Sequence, residues 1–377
     1  MAAIEAARRG RTVALIDQGK RVGGKIPVSG GGRCNFTNRR AEAGRYVGAN
    51  PDFARSALSL FGPHDVEAWI AAAGIPYHEK KDGQLFCDRS ALDVVALLEK
   101  DLRQAGVRVG LARRLERLER REGSFVASGA DWSVEAPKVV VALGGPSYPA
   151  LGANDLGARL ARAFGLETEA FVPALTGFKF APQESGRFGG LEGLTCEAEL
   201  TVEGRRFRES LLFTHLGLGG PAAFQASLVY REGGEINVDF WPGEDPSGAW
   251  LEAKRTRGSD GFARALSVRL PRRLAERWAA SDPVGSGPLE RVTDRGLREA
   301  ALRLKKWSFR PAGVLGWDRA EVARGGILAK GLNQRSLEAR SVPGLHFVGE
   351  SVDITGELGG FNLQWAFSSG VAAGRSV

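Results

Sequence analysis

The chain predicts an α/β nucleotide-binding domain assembled from both ends of the sequence, with a β-rich and helical insertion between them. Three observations carry this. A short apolar strand, Thr12–Ile16, ends on the acid Asp17 close behind an alanine-rich helical stretch. The same texture returns from Gly344, where a buried strand (GLHFVGE) is followed by a helix opening on two glycines (GGFNLQWAFSSG). Between them, after Phe171, strand-like pieces dominate.

Taken in order, residues 1–10 read as a helix stopped by Gly10, and Gly23 to Asn38 as a glycine-rich loop. Residues 52–73 place Phe53, Leu58, Phe61, Val66, Trp69 and Ile70 at helical spacing, broken at Gly62-Pro63. Ser90 is the expected cap of a helix over 91–105 that Gly106 ends. Val107–Leu111, Leu115–Arg120, Ser124–Ser128 and Trp132–Ala136 alternate as short strands, and Val139–Leu143 reads as a buried one. A helix–turn pattern runs over Asn154–Gly165. In the insertion, strands are expected at Gly177–Ala181, Thr195–Val202, Phe207–Phe213 and Glu235–Phe240, then helices over 250–310 with a break at 281–288.

Length and composition narrow the class. With 377 residues, 43% hydrophobic and 25% charged, the chain can build two domains, or three if one is small, with a real core, so wholesale disorder is excluded. No run of about 18 apolar residues is present to span a membrane, and no signal peptide is visible. Three cysteines, Cys34, Cys87 and Cys196, are too few for a disulfide scaffold or a zinc site, which points to the reducing cytoplasm and to no metal. The net charge of +8 has one source: residues 250–310 hold 15 basic and 7 acidic side chains, and the remainder is neutral. Such a segment suits a polyanion, nucleic acid being the commonest. A solvated helical face in an arginine-rich chain is the competing explanation.

Four motifs carry chemistry. Asp17, at the tip of a strand in a βαβ unit, is placed to accept from ribose hydroxyls. Ser29-Gly30-Gly31-Gly32-Arg33-Cys34-Asn35 offers consecutive backbone N–H groups and a cation to an anion, or else is a flexible turn. Ala142-Leu143-Gly144-Gly145 follows a buried strand, where backbone can approach a nucleotide closely. Gly349-Glu350 and then Gly359-Gly360-Phe361-Asn362-Leu363-Gln364 pair an acid with a helix N-terminus, which favours phosphate or an anionic ring. The strand and G-x-G-x-x-G turn expected before the first helix do not appear, so the reading frame upstream of Met1 is expected to encode them.

The segments GGKIPVSGGGRCNFTN, ESLLFTHLGLGGPA and GLHFVGESVDITGELGGFNLQWAFSSG closely resemble the BaiN/RdsA-like (YhiN-type) NAD(P)/FAD-dependent oxidoreductases, also catalogued as aminoacetone-oxidase-family FAD-binding enzymes. The likeness runs over nearly the whole chain. It implies a glutathione-reductase-like FAD-binding domain over 1–170 and 321–377, lacking its first strand. It also implies an inserted β-barrel over 171–249 and 311–320 and a small basic helical subdomain over 250–310. Asp17 would bind the adenosine ribose, Glu350 the ribityl or pyrophosphate region, and Gly30 to Asn35 and Gly360 to Gln364 would face the flavin. Lys25, Ser29, Leu115, Ala142, Gly144, Gly145 and Gly349 join the cofactor-binding set. Members commonly carry Ala-Thr-Gly-Gly where this chain has Leu143, and Thr-x-Gly-Gly-Val near Arg324-Gly325-Gly326-Ile327; the glycines remain in both places.

The resemblance implies reduction of an activated carbon–carbon double bond: a uridine of ribosomal RNA becoming dihydrouridine, or a small steroid-like enone. NAD(P)H would be a transient electron donor, since no second G-x-G-x-x-G is present. The basic segment favours RNA, with Arg272, Arg273, Lys305 and Lys306 as its expected contacts. Candidates for the proton donor are Cys34, which could equally be a packed thiol, and His215, which could equally be a structural hydrogen-bonding group. An aminoacetone-type amine oxidase and an RNA-binding protein with a degenerate flavin site stay open as alternatives.

Overall fold

The computed structural model describes residues 1–377, which fold as two compact units, Met1–Pro173 with Ala320–Val377, and Ala174–Arg319. The first unit joins the two ends of the chain. Strand Val139–Val141 runs parallel to Leu345–Phe347, some two hundred residues later in sequence, in register Val140 to His346. A second parallel pair, Ala14–Ile16 with Arg108–Gly110, presents Asp17 at its end.

Around these strands lie two apolar cores and the C-terminal helix, Phe361–Gly374. That helix is buried on nearly every side, which explains its lack of a polar face. It receives the first helix, Ala2–Arg8, through glycines: a Cβ on Gly374 would meet the Ala2 carbonyl oxygen at 2.5 Å. The expected break in the 52–73 stretch is real, giving helices Ala54–Leu60 and Pro63–Ala72. Ser90 acts as anticipated, its Oγ accepting from Leu92 N–H at 3.1 Å ahead of helix Leu92–Gln104.

One sequence reading needs correction here. The end of the glycine loop is a strand, Asn35–Asn38, hydrogen-bonded to Gln84–Cys87, which in turn pairs with Tyr77–Glu79. Asn35-Phe36-Thr37-Asn38 shows too short an alternation to be seen as a strand; its partner, distant in sequence, makes it one. Strands Thr168–Ala174 and Val322–Ile327, side by side in one sheet, were likewise not anticipated.

The second unit is built on a seven-stranded sheet whose hydrogen-bonded pairs are antiparallel. The long hairpin Thr195–Val202 with Arg205–Thr214 lies near its middle, and Trp307–Phe309 and Gly313–Val314 are its end strands. Helix Gly220–Val229, not foreseen, packs on the hairpin. The basic stretch forms helices Ser247–Thr256, Phe262–Leu266, Arg272–Ser281 and Asp294–Lys305. Their apolar faces (Trp250, Phe262, Leu274, Trp278, Leu297, Leu304) share one core with the sheet residues Phe213, Val238 and Phe240. No helix of the chain is long and apolar enough to cross a membrane.

Candidate functional site

Three of the motif segments, the glycine loop, the 142–145 turn and the 349–364 stretch, are joined within the first unit, and Glu350 is the clasp. Strand Leu345–Phe347 ends at a turn in which Gly349 takes φ +65°, its N–H held by Ser369 Oγ at 3.0 Å and its carbonyl by Trp365 Nε1 at 3.0 Å. Glu350 Oε1 accepts from Ala323 N–H at 2.8 Å. Its Oε2 accepts from Gly145 N–H at 3.2 Å and from Lys25 Nζ at 2.8 Å. Gly145 must be glycine here, because a Cβ would stand 2.8 Å from Ala323 Cβ and 3.3 Å from Glu350 Cδ. Thus Lys25, Gly144, Gly145, Gly349 and Glu350 do come together. Both carboxylate oxygens of Glu350 are already engaged by the protein, so its side chain joins three segments rather than waiting for a ligand.

The glycine loop meets the C-terminal helix through Asn35. With its amide nitrogen toward the Thr37 and Leu85 carbonyls, Asn35 accepts from Gly360 N–H, each contact at 3.1 Å. Gly360 is at φ +97°, and a Cβ there would meet the Thr37 carbonyl oxygen at 2.5 Å, so this glycine is required by protein packing. Gly30 is similar, its Cβ position lying 2.7 Å from Asn35 N. Gly31 and Gly32 differ: at φ +65° and +86° nothing stands within 4 Å of where a side chain would begin. They form a side-chain-free, left-handed stretch of backbone open on one side, which fits close approach of a phosphate-bearing cofactor. The amides opening the C-terminal helix suit the same partner.

Two expected side-chain contacts, those of Gln364 and Phe361, must be corrected, and the other expected residues are placed as follows. Gln364 is fully buried, its Nε2 donating to Phe61 O at 3.1 Å and to Ser368 Oγ at 2.8 Å, while Thr37 Oγ1 donates to its Oε1. Phe361 packs edge-on against Tyr46 in the core. Asn362 Nδ2 donates to Gly356 O, and its Oδ1 accepts from Gly356 N–H. Leu363 leans on the core. Phe361 and Gln364 are thus turned into the protein, while Asn362, Leu363 and Ala366 stay half-buried beside the helix N-terminus. Ser29 Oγ donates to Ile26 O at 2.7 Å, Leu115 packs partly against the core, and Ala142 and Arg33 are exposed. Asp17 Oδ1 accepts from Gly19 N–H at 2.7 Å, and Gln18 Nε2 ties the strand tip to Gly152 O at 2.6 Å.

Of the two proton-donor candidates, Cys34 is enclosed and His215 is exposed. Cys34 is fully buried in an apolar cluster at φ +52°, and burial pushes its thiol up to about 12. A group so enclosed is a packed thiol and cannot meet a substrate. His215 belongs to the second unit, exposed in a turn whose hydrogen bonds are supplied by Thr214 Oγ1. Sequence reasoning passed over Tyr148. Tyr148 follows the Gly144-Gly145 turn at φ +62°. Only the Gly-Gly-Pro-Ser-Tyr-Pro run, a turn signal, hinted at an unusual backbone there.

On the second unit the basic side chains divide. Arg272 pairs with Glu276 at 2.7 Å, Arg273 donates to Gly190 O, and Lys305 donates to Asp239 at 2.8 Å and Trp241 O at 2.7 Å. Lys305 is therefore a half-buried structural cation rather than a free contact. Lys306, Arg257, Arg291, Arg298 and Arg310 are exposed and carry no ion pair.

Comparison with known proteins gives the family. A family model described as "HI0933-like protein Rossmann domain" matches residues 1–376. The chain is 37% identical to the ribosomal RNA dihydrouridine synthase of Escherichia coli over 373 residues, covering 99% of this chain and 93% of that one. It is 33% identical to the enzyme of the same name from Haemophilus influenzae, over 100% and 94%. A 3-dehydro-bile acid delta(4,6)-reductase from Clostridium scindens is 28% identical over 100% of this chain and 96% of its own. Among solved structures, 3-ketosteroid delta1-dehydrogenase from Sterolibacterium denitrificans superposes with a TM-score of 0.50 at 13% identity, covering 100% of this chain and 96% of that one, which shows a shared fold. Full-length matches of this kind, on a site whose open glycine backbone suits FAD, mean that the chain belongs to the HI0933-like Rossmann family and is an FAD-dependent oxidoreductase.

Proposed function

We propose that this oxidoreductase takes electrons from NAD(P)H and reduces the C5=C6 bond of a uridine in ribosomal RNA. The observation that carries the reading is the full-length identity, 37% and 33%, to two proteins named ribosomal RNA dihydrouridine synthase. FAD would be held by Asp17 at the ribose, by the Gly31-Gly32 backbone, by the turn 142–145 and by the first amides of the C-terminal helix. When bound, it supplies two-electron hydride transfer. Glu350 keeps the segments that carry these groups in place, through its bonds to Gly145, Ala323 and Lys25. Phosphates of the RNA would be met by cations not already paired: Lys306, Arg310, Arg298, Arg291 and Arg257. An rRNA substrate also puts the reaction in the cytoplasm.

A second reading, a small enone acceptor, is favoured by the bile acid reductase at 28% identity over the full length. Nucleoside mass spectrometry of ribosomal RNA separates the two. RNA from a deletion strain should lack one dihydrouridine, and restoring the gene should return it. An unchanged dihydrouridine content on deletion refutes the RNA substrate and leaves the enone.

A further inference from the structure

Reducing a carbon–carbon double bond places a hydride on one carbon and a proton on the other, so the site needs an acid. The thiol of Cys34 is enclosed in the core. The open glycine backbone beside it, however, is held by a segment that carries Asp88. Cys87 N–H donates to Arg33 O at 3.0 Å and Ala91 N–H to Gly32 O at 2.8 Å, so residues 87–91 are fastened to the glycine loop at both ends. Between these two bonds stands Asp88, and its Oδ1 lies 2.6 Å from Nδ1 of His78.

His78 reaches the same loop a second way, across the three-stranded sheet. Asn35, Phe86 and His78 are direct partners on strands Asn35–Asn38, Gln84–Cys87 and Tyr77–Glu79, so their side chains share one face. The other face turns Leu85 and Cys87 into an apolar core. Glycine backbone covers the first face: a Cβ on Gly30 would stand 2.9 Å from Phe86 Cε1, and one on Gly359 2.9 Å from Gln84 Nε2. Asn35 accepts there from Gly360 N–H. The His78 ring lies nearly parallel to that of Phe86, at 18° and 6.2 Å between centroids. His78 is thus one ring away from Gly30, the residue that leads into the open Gly31-Gly32. The His78 and Asp88 side chains are 43% and 42% exposed, so their pairing adds little to stability and leaves them able to meet a ligand. With Nδ1 committed to Asp88, Nε2 is the nitrogen left for that ligand.

We propose that His78 is the proton donor of this site and Asp88 its positioning residue. The His78 imidazolium gives its Nε2 proton to the carbon that does not take the hydride, while Asp88 accepts from Nδ1–H and fixes the ring. The π pair of the double bond becomes the new C–H bond as the Nε2–H bond breaks, and that bond's electron pair stays on nitrogen. Solvent then returns a proton to Nε2, for which the exposure of the ring leaves a path. The hydride is drawn from the NAD(P)H-reduced cofactor. This inference rests on the reductase reading.

The test uses the FAD-loaded enzyme and its His78→Gln, His78→Ala and Asp88→Asn variants. Acceptors are unmodified ribosomal RNA from a deletion strain, 2-cyclohexen-1-one, and ferricyanide, which takes electrons without carbon protonation. With His78→Gln, the rate on the carbon acceptor should fall about 100-fold or more relative to the ferricyanide rate, the scale of a lost general acid. In His78→Ala, added imidazole should restore part of that ratio, which a side chain needed only for packing would not show. Asp88→Asn should lower the ratio less than His78→Gln does. Independently of turnover, the ring signals of 15N-labelled histidine that disappear in His78→Gln should shift when FAD is added to the apoprotein. An unchanged ratio in His78→Gln overturns the assignment and leaves the reductase reading standing. His78 signals that stay in place while the flavin binds also overturn it. If the wild type passes electrons to ferricyanide but reduces neither carbon acceptor, the reductase reading falls and the assignment with it.

Discussion

Glu350→Ala removes a carboxylate that satisfies three donors at once. The Gly145 and Ala323 amides are both buried and have this carboxylate as acceptor, at 3.2 and 2.8 Å. Lys25 is 35% exposed and can turn to water, so its loss counts for little. Each stranded buried N–H costs about 1–3 kcal/mol, giving about 2–6 kcal/mol for two. Freeing a carboxylate that is itself only 20% exposed returns part of this, leaving a net cost of about 2–4 kcal/mol. Hydrogen exchange followed by mass spectrometry on peptides covering 142–148 and 320–326 reads the loss locally. At 2 kcal/mol, exchange at the two amides should quicken about 30-fold, since 1.4 kcal/mol is a factor of ten. FAD affinity of the apoprotein should weaken in parallel. Lys25→Met, the control, should cost about 1 kcal/mol or less. Wild-type protection in Glu350→Ala, or an equal effect from Lys25→Met, would refute the role of Glu350 as the clasp.

Gly360→Ala should unfold or strongly destabilise the first unit, because its Cβ would collide with the Thr37 carbonyl at 2.5 Å, whereas Gly31→Ala meets nothing within 4 Å. Gly31→Ala should therefore keep the fold, at roughly 1–2 kcal/mol of left-handed strain, and lose FAD; a variant that retains the cofactor fully shows Gly31 to be only a turn. The three thiols are pushed by burial from 9.0 to about 12 for Cys34, 11 for Cys87 and 12 for Cys196. Folding favours their protonated forms, so this stabilisation is complete below pH 9 and disappears as pH climbs through the folded values. Ellman's reagent at pH 8 should react with none of them in the native protein and with all three in urea; rapid native labelling of Cys34 contradicts its enclosure. For RNA, Lys306→Ala with Arg310→Ala should lower affinity and reduce the salt slope by about 0.7–0.9 per lost phosphate contact. Arg272→Ala, whose cation is already paired to Glu276, should do less; equal losses would mean that pairing does not select the contacts.

The local signals in this chain were strong wherever one element explains itself. The strand ending at Asp17, the cap by Ser90, the break at Gly62-Pro63 and the hairpin strand Thr195–Val202 were all legible, because propensity, caps and alternation act over a few residues. The motif glycines were also legible as places of unusual backbone, and Gly31, Gly349 and Gly360 take φ of +65°, +65° and +97°. Their division of labour was not legible: Gly360 is required by the Thr37 carbonyl and Gly31 by nothing in the protein, a distinction that depends on which backbone lies opposite. The same holds for Asn35–Asn38, which is a strand because Gln84–Cys87 reaches it, and for Gln364 and Phe361, whose motif positions suggested ligand contact but whose helix is enclosed. Cys34, enclosed in an apolar cluster, shows the same lesson. Reactivity follows burial and partnership, and both are set by contacts between residues far apart in the chain. The sequence alone determined the locally signalled elements and the family; tertiary packing alone decided the strands that need a distant partner, which side chains face inward and which carboxylate is already engaged, because those depend on contacts between residues far apart in the chain.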